Sequence, residues 1–305
     1  MKSAHRLLLL FTIVFSLPAA TAVFSQTSRK QSPPPGTVAI AHFFFDQQEI
    51  SNQDYREYLY WLGHVFGPDS DEYRQALPDT SVWRKPYMYG EPLDIQYFRH
   101  PAYDGYPVVG VSYEQATQYC AWRTDRVFEM QLVRANLIPV NSRQTRAEYF
   151  TAERYLAGRY MGLTPNRNIP VLRYRLPTKD EWEMAAAGKL DATIFPYGYD
   201  LTEKKIAGKL RKGECVFQTQ QVIKMQDQTN KYWYTAPARS GFPNGFKLYN
   251  MIGNVAEMLA EKGSCKGGSF QHALDDCKIT GQLSYSQPEA WLGFRCVCVM
   301  EMPAD

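Results

Sequence analysis

After a short opening stretch, the apolar positions of this chain fall into brief runs with few long periods. Thr37 to Phe45 is dominated by apolar residues that suit one buried strand. Glu49-Ile50-Ser51-Asn52 then starts an amphipathic helix: Ser51 or Asn52 can accept the free amide hydrogens of the first turn, and Tyr55, Leu59 and Leu62 recur on one face. Pro68 to Gly105 carries Pro, Asp and Tyr without a sustained period, which predicts loop with short strands. Val108-Val109-Gly110-Val111 predicts a strand, and Ser112 caps a helix over Tyr113 to Val127 with Ala116, Tyr119, Cys120 and Arg123 at helical spacing, placing Cys120 on an inward face. Arg126 to Asn168 is a charged segment with one or two helical patterns, read as an insertion. Thr178, with Glu181 three residues later, makes a capping box for a helix from Lys179 to about Ala187 that stops at Gly188. Beyond it lie loops and brief strands rather than a parallel sheet.

The N-terminus changes the setting. Lys2 and Arg6 precede the apolar run Leu7 to Leu17 and the small residues around Ala20 and Ala22, the layout of a secretory signal cleaved after Ala22 or Ser25. The expected organisation is therefore a signal at 1–25, a mobile leader at 26–36 and one domain at 37–300 with the insertion at about 126–168. No stretch reaches the roughly 20 apolar residues of a membrane span. The segment around the cleavage site has no Cys to carry a lipid, so the expected product is exported: periplasmic, outer-membrane-associated or secreted. Losing Lys2 and Arg6 lowers the formal charge from +3 to +1, which gives no bulk attraction to nucleic acid.

Six cysteines in an exported chain invite disulfides, and six allow 15 full pairings, so Cys120, Cys215, Cys265, Cys277, Cys296 and Cys298 cannot be paired from the sequence. No CxxC occurs, and a structural zinc is not expected. Gly267-Gly268-Ser269-Phe270 suits a backbone passing close to something else, and Cys277 beyond it could be a nucleophile, a ligand or half of a disulfide.

Several separated motifs share one wording. They are Glu49-Ile50-Ser51-Asn52; Pro107 to Ala116 with Tyr119-Cys120-Ala121-Trp122; Arg175-Leu176-Pro177-Thr178 with Glu181-Trp182-Glu183; Asn244 to Glu257; and Gly267 to Phe270 closed by Gly293-Phe294-Arg295-Cys296. In this order they resemble the formylglycine-generating enzyme family, the sulfatase-modifying factor domain, over roughly Gly36 to Val299 apart from the insertion. The resemblance implies an α+β fold, a single compact C-type-lectin-like domain with little regular secondary structure. It also implies a Cys120–Cys296 disulfide and a calcium loop in which Asn250 and Glu257 ligate through side chains and Gly253 and Val255 through carbonyls. The plainer alternative is that Asn250 and Asn254 only brace a turn. A second calcium loop aligns near Leu210 to Tyr232, where an expected Asp is Asn230 and the other ligands are not recognisable.

Enzymes of this family oxidise a substrate Cys to formylglycine with oxygen and Cu(I) held by two cysteines five residues apart. The first position holds His272 here and the second is Cys277. A bis-thiolate copper site therefore cannot form in the family manner. Cys277 has a disulfide as its plainer role, with Cys265 the nearest partner and Cys298 or Cys215 as alternatives, and only Lys278 remains of the basic residues expected before Arg295. The preferred reading is a non-catalytic binding or scaffold module with protein partners in the cell envelope, in which Ser269, His272 and Cys277 are vestigial or altered. The alternative is a copper-dependent oxidase with a rebuilt His272/Cys277 centre. Glu49-Ile50-Ser51-Asn52 through Leu62 and Leu77-Pro78-Asp79-Thr80 with Trp83 are closer to the non-enzymatic gliding-motility and type IX secretion branch of Bacteroidota.

Overall fold

The computed structural model describes residues 33–84, 91–211, 217–220 and 234–304. The first expected strand is a hairpin: β1 (Thr37–Ile40) and β2 (Phe43–Asp46) pair antiparallel, with Val38 opposite Phe45. The turn between them was not legible, because Ala41 takes a left-handed φ of 50° that alanine rarely adopts. The fold also begins before residue 37. Pro34 is buried and its carbonyl accepts from the Thr37 amide and hydroxyl, so the end of the expected leader is bound to the hairpin.

Helix α1 (Asn52–Phe66) starts where Ser51 and Asp54 close a capping box, and it buries Tyr55, Tyr58, Leu59 and Leu62. The region expected to be loop with short strands instead forms short helices: α2 (Asp71–Ala76), a 3₁₀ turn at Thr80–Arg84, α3 (Glu91–Gln96) and a turn at Pro101–Tyr103. None is long enough to show a helical period. The expected strand at Val108 to Val111 is a single bridge, Pro107 to Ser51, followed by irregular chain that bends at Gly110 (φ 73°).

Helix α4 (Tyr113–Arg134) is capped by the Ser112–Gln115 box and runs well past Val127 into the insertion. There Phe128 and Leu132 join Phe150, Tyr155 and Tyr160 in a small core of their own, with α5 (Ala152–Leu156) across it. Strand β3 (Val171–Arg175) leads to α6 (Lys179–Ala187), whose Thr178 cap, Glu181 box and left-handed Gly188 match the expectation. Helix α7 (Lys204–Arg211) follows.

The remaining strands are brief: β4 (Ala256–Met258), β5 (Ser264–Lys266), β6 (Leu283–Ser284), β7 (Leu292–Gly293) and β8 (Val297–Glu301). One four-stranded sheet runs β1-β2-β8-β3 and the other β6-β5-β4-β7, where only β4 and β7 are parallel. This is a mixed α+β domain whose regular structure is modest. The larger core lies under α1 and α4, and a second one surrounds Trp182, Phe43 and Phe45. Among the described residues no helix is long and apolar enough to cross a membrane.

Candidate functional site

The glycine pair of the closing segment passes beside Cys277. Gly268 has φ 64°, and a Cβ built on it would lie 2.1 Å from the Cys277 sulfur, so only glycine fits there. Cys277 ends a 3₁₀ turn, is fully buried, and its Sγ donates to the Ala273 carbonyl at 3.3 Å. Burial pushes its thiol up to about 12, which leaves it protonated at neutral pH and a poor nucleophile or metal ligand.

His272 lies within reach of Ser269 rather than free in a pocket. Its Nδ1 shares a 2.7 Å hydrogen bond with the Ser269 hydroxyl, which also accepts from the Gln271 amide at 3.1 Å. The ring meets the edge of Trp291 at 4.8 Å, and burial lowers its pKa. A neutral imidazole whose Nδ1 accepts from Ser269 satisfies all of these contacts. Ser269 itself is wholly buried. Together these residues do not fit the family's copper centre: the Cys277 thiol is buried with its pKa pushed up to about 12, and the described residues hold no cluster of three His, Cys, Asp or Glu side chains.

The calcium set is brought to one place but turned to other work. Glu257, its one charged member, gives Oε1 to the Nε of Arg295 at 2.8 Å and to Nη2, and Oε2 to the indole Nε1 of Trp182 at 2.7 Å. Asn250 (φ 50°) donates through Nδ2 to Glu49 at 3.3 Å and Ala238 at 3.2 Å. Gly253 (φ 78°) would place a Cβ 2.5 Å from the Gln218 carbonyl, and its amide donates to Gly267. Val255 packs its side chain with Trp83 and Phe270. Of the expected side-chain ligands, Glu257 is thus paired with Arg295 and Trp182, while Asn250 is engaged through its Nδ2 donor, and Asn250 and Asn254 take left-handed φ values of 50° and 63°. Most of the second calcium loop, including Asn230, lies outside the described residues, as does Cys215.

At the centre of this loop Glu257 meets two residues, Arg295 and Glu49, to which the motifs alone assigned no role. Arg295, Glu257 and Glu49 are each almost completely buried. Arg295 also donates to the carbonyls of Asp46 and Tyr249, and Asn254 donates to Glu49 Oε1 at 2.9 Å. Burial pushes both carboxyls up while Arg295 pulls them down, and the more distant Glu49, 4.0 Å from the guanidinium, is raised to about 8. The signal that could have found them is ionisable residues inside otherwise apolar motifs, at Glu49, Glu257 and Arg295.

Among the cysteines, the structure puts the sulfurs of Cys120 and Cys296 3.4 Å apart, both buried, with Cys120 on the inward face of α4. Cys265 and Cys277 are not brought together. Cys265 sits in the core under α1 and α4, and Cys277 in the one around Trp182.

A family model described as the sulfatase-modifying factor enzyme 1-like domain matches residues 14–300. The chain belongs to this family. Relatives of the sulfatase-modifying factor domain here include the formylglycine-generating enzyme of Thermomonospora curvata, 26% identical over 249 residues, covering 75% of this chain and 62% of that enzyme. The chain thus spans less than two thirds of that relative's length. The inactive Cα-formylglycine-generating enzyme 2 of Bos taurus is 23% identical, with 89% of this chain and 82% of the relative covered. Among solved structures, PvdO from Pseudomonas aeruginosa aligns with a TM-score of 0.49 at 16% identity, covering 84% of this chain and 80% of PvdO.

Proposed function

We propose that this sulfatase-modifying-factor-like chain is an exported, non-catalytic module that acts as a binding or scaffold component of a cell-envelope assembly of the secretion or gliding type. One observation carries the reading: His272 stands where the family places its first copper cysteine and is tied to Ser269 and Trp291, while Cys277 is sealed and protonated. The inactive formylglycine-generating enzyme 2 relatives of Bos taurus and Mus musculus support a family member without oxidase chemistry. Export rests on the charged, apolar and small-residue succession from Lys2 to Ala22, which lies outside the described residues. The envelope assignment rests on the wording of Glu49 to Leu62 and Leu77 to Trp83.

Anaerobic Cu(I) titration against a competing chromophoric chelator tests the site. The wild-type chain should show no copper affinity that depends on His272 and Cys277. Stoichiometric binding that disappears in both His272→Ala and Cys277→Ser would instead establish a rebuilt centre and overturn the non-catalytic reading.

A further inference from the structure

A cavity of about 600 Å³ is bounded by the end of β2, one row of α1 and one face of α4, with Arg239 on a separate loop. None of Ser269, His272 or Cys277 lines it. Its size falls in the range of small-ligand sites, roughly 300–1,000 Å³. Helical spacing explains the lining: Asp54 and Glu57 are three apart on α1, while Tyr119, Trp122, Arg123 and Arg126 recur every three or four residues on α4.

Pairing within the protein neutralises some of these charges and leaves others. Arg123 binds Asp46 through both terminal nitrogens, at 2.7 and 2.9 Å, and Arg126 is matched by Glu129 and the Phe150 carbonyl. Among the described residues Asp54 meets no cation; its carboxylate accepts from the amide and hydroxyl of Ser51. Glu57 is exposed and makes no hydrogen bond or ion pair among the described residues. Arg239 is exposed too; among the described residues its hydrogen-bond partner is the neutral Gln47, and its guanidinium lies 6.0 Å from the centre of the Tyr249 ring. In addition, the indole Nε1 of Trp122 and the Nε of Arg126 are donors without an acceptor among the described residues. Ile50, Val127 and the Trp122 ring supply apolar wall between these groups.

One cavity thus presents an uncompensated acid pair, an uncompensated guanidinium and spare donors around an apolar floor. The geometry points to a binding site for a zwitterionic ligand of amino-acid to short-peptide size, its ammonium held by Glu57 and Asp54 and its carboxylate by Arg239. Charge-assisted hydrogen bonds at each end and burial of the body between them supply the recognition.

The test is isothermal titration calorimetry of the full chain with the dipeptide leucyl-phenylalanine, its N-acetyl form and its C-terminal amide. The unblocked dipeptide should bind saturably, and each blocked form about tenfold more weakly, as expected when one charge pair of about 1.4 kcal/mol is lost. Glu57→Gln should cost the unblocked dipeptide about tenfold and leave the N-acetyl form unchanged; Arg239→Gln should do the same with respect to the amide. Both positions are exposed, so melting temperatures should match the wild type. Absence of saturation up to about 10 mM, blocked forms that bind as tightly, or variants that bind the unblocked dipeptide like the wild type would each overturn the proposal.

Discussion

Arg295→Ala should lower the unfolding free energy by about 3–5 kcal/mol, the cost of breaking a buried ion pair by deleting one partner. The guanidinium is wholly buried, serves Glu257 through two nitrogens and the carbonyls of Asp46 and Tyr249, and lies 4.0 Å from the Glu49 carboxyl. Its removal leaves two buried carboxyls without a cation and two carbonyls without a donor. Arg295→Lys keeps the charge but cannot reproduce the fork, so it should recover only part of the loss. Urea denaturation followed by circular dichroism measures both. A change below about 1 kcal/mol in Arg295→Ala would mean that the network does not hold the loop.

Reduction should have an effect of similar size. Cys120 on α4 and Cys296 before β8 are separated by 176 residues in sequence while their sulfurs lie 3.4 Å apart. A bond between them closes so long a loop that the chain-entropy argument gives about 5 kcal/mol, an upper figure because measured bridges often deliver less. The oxidised protein should therefore unfold at a markedly higher urea midpoint than the protein kept in phosphine reductant. Cys120→Ala/Cys296→Ala should behave alike under both conditions. Equal midpoints for the wild-type chain with and without reductant would show that the pair stays as thiols.

What the sequence made legible were local signals. The Ser112 and Thr178 capping boxes and the Gly188 stop depend on residues within one turn of each other, and α6 appears with the expected limits. Ser51 caps α1 in the same way, with Asp54 rather than a Glu or Gln reaching back. Elements without a local mark were misread. The Ala41 turn has no Gly or Asn, the short helices between Pro68 and Gly105 are too brief to show a period, and α4 extends to Arg134 because Phe128 and Leu132 find Phe150 and Tyr155 across the insertion.

The site shows the same division. Motif wording placed Asn250, Gly253, Val255 and Glu257 on one loop and His272 and Cys277 beside the glycine pair. It could not show that Glu257 would face Arg295, 38 residues away, or that Asn254 would reach Glu49, 205 residues away. Those pairings arise only when β4, β7 and the β2–α1 junction come together, and they pair Glu257, the charged member of the expected ion-binding set, inside the protein. Nor could the motif wording show that Ser269 would lie 2.7 Å from the Nδ1 of His272, with the ring against Trp291.

The proposed lack of oxidase chemistry is tested most directly by mass spectrometry. The Cu(I)-treated chain is incubated aerobically with a cysteine-containing sulfatase peptide, with an active formylglycine-generating enzyme run in parallel. The account predicts that the peptide cysteine keeps its mass with this chain while the control converts it. Conversion to formylglycine by this chain, lost in Cys277→Ser, would contradict it.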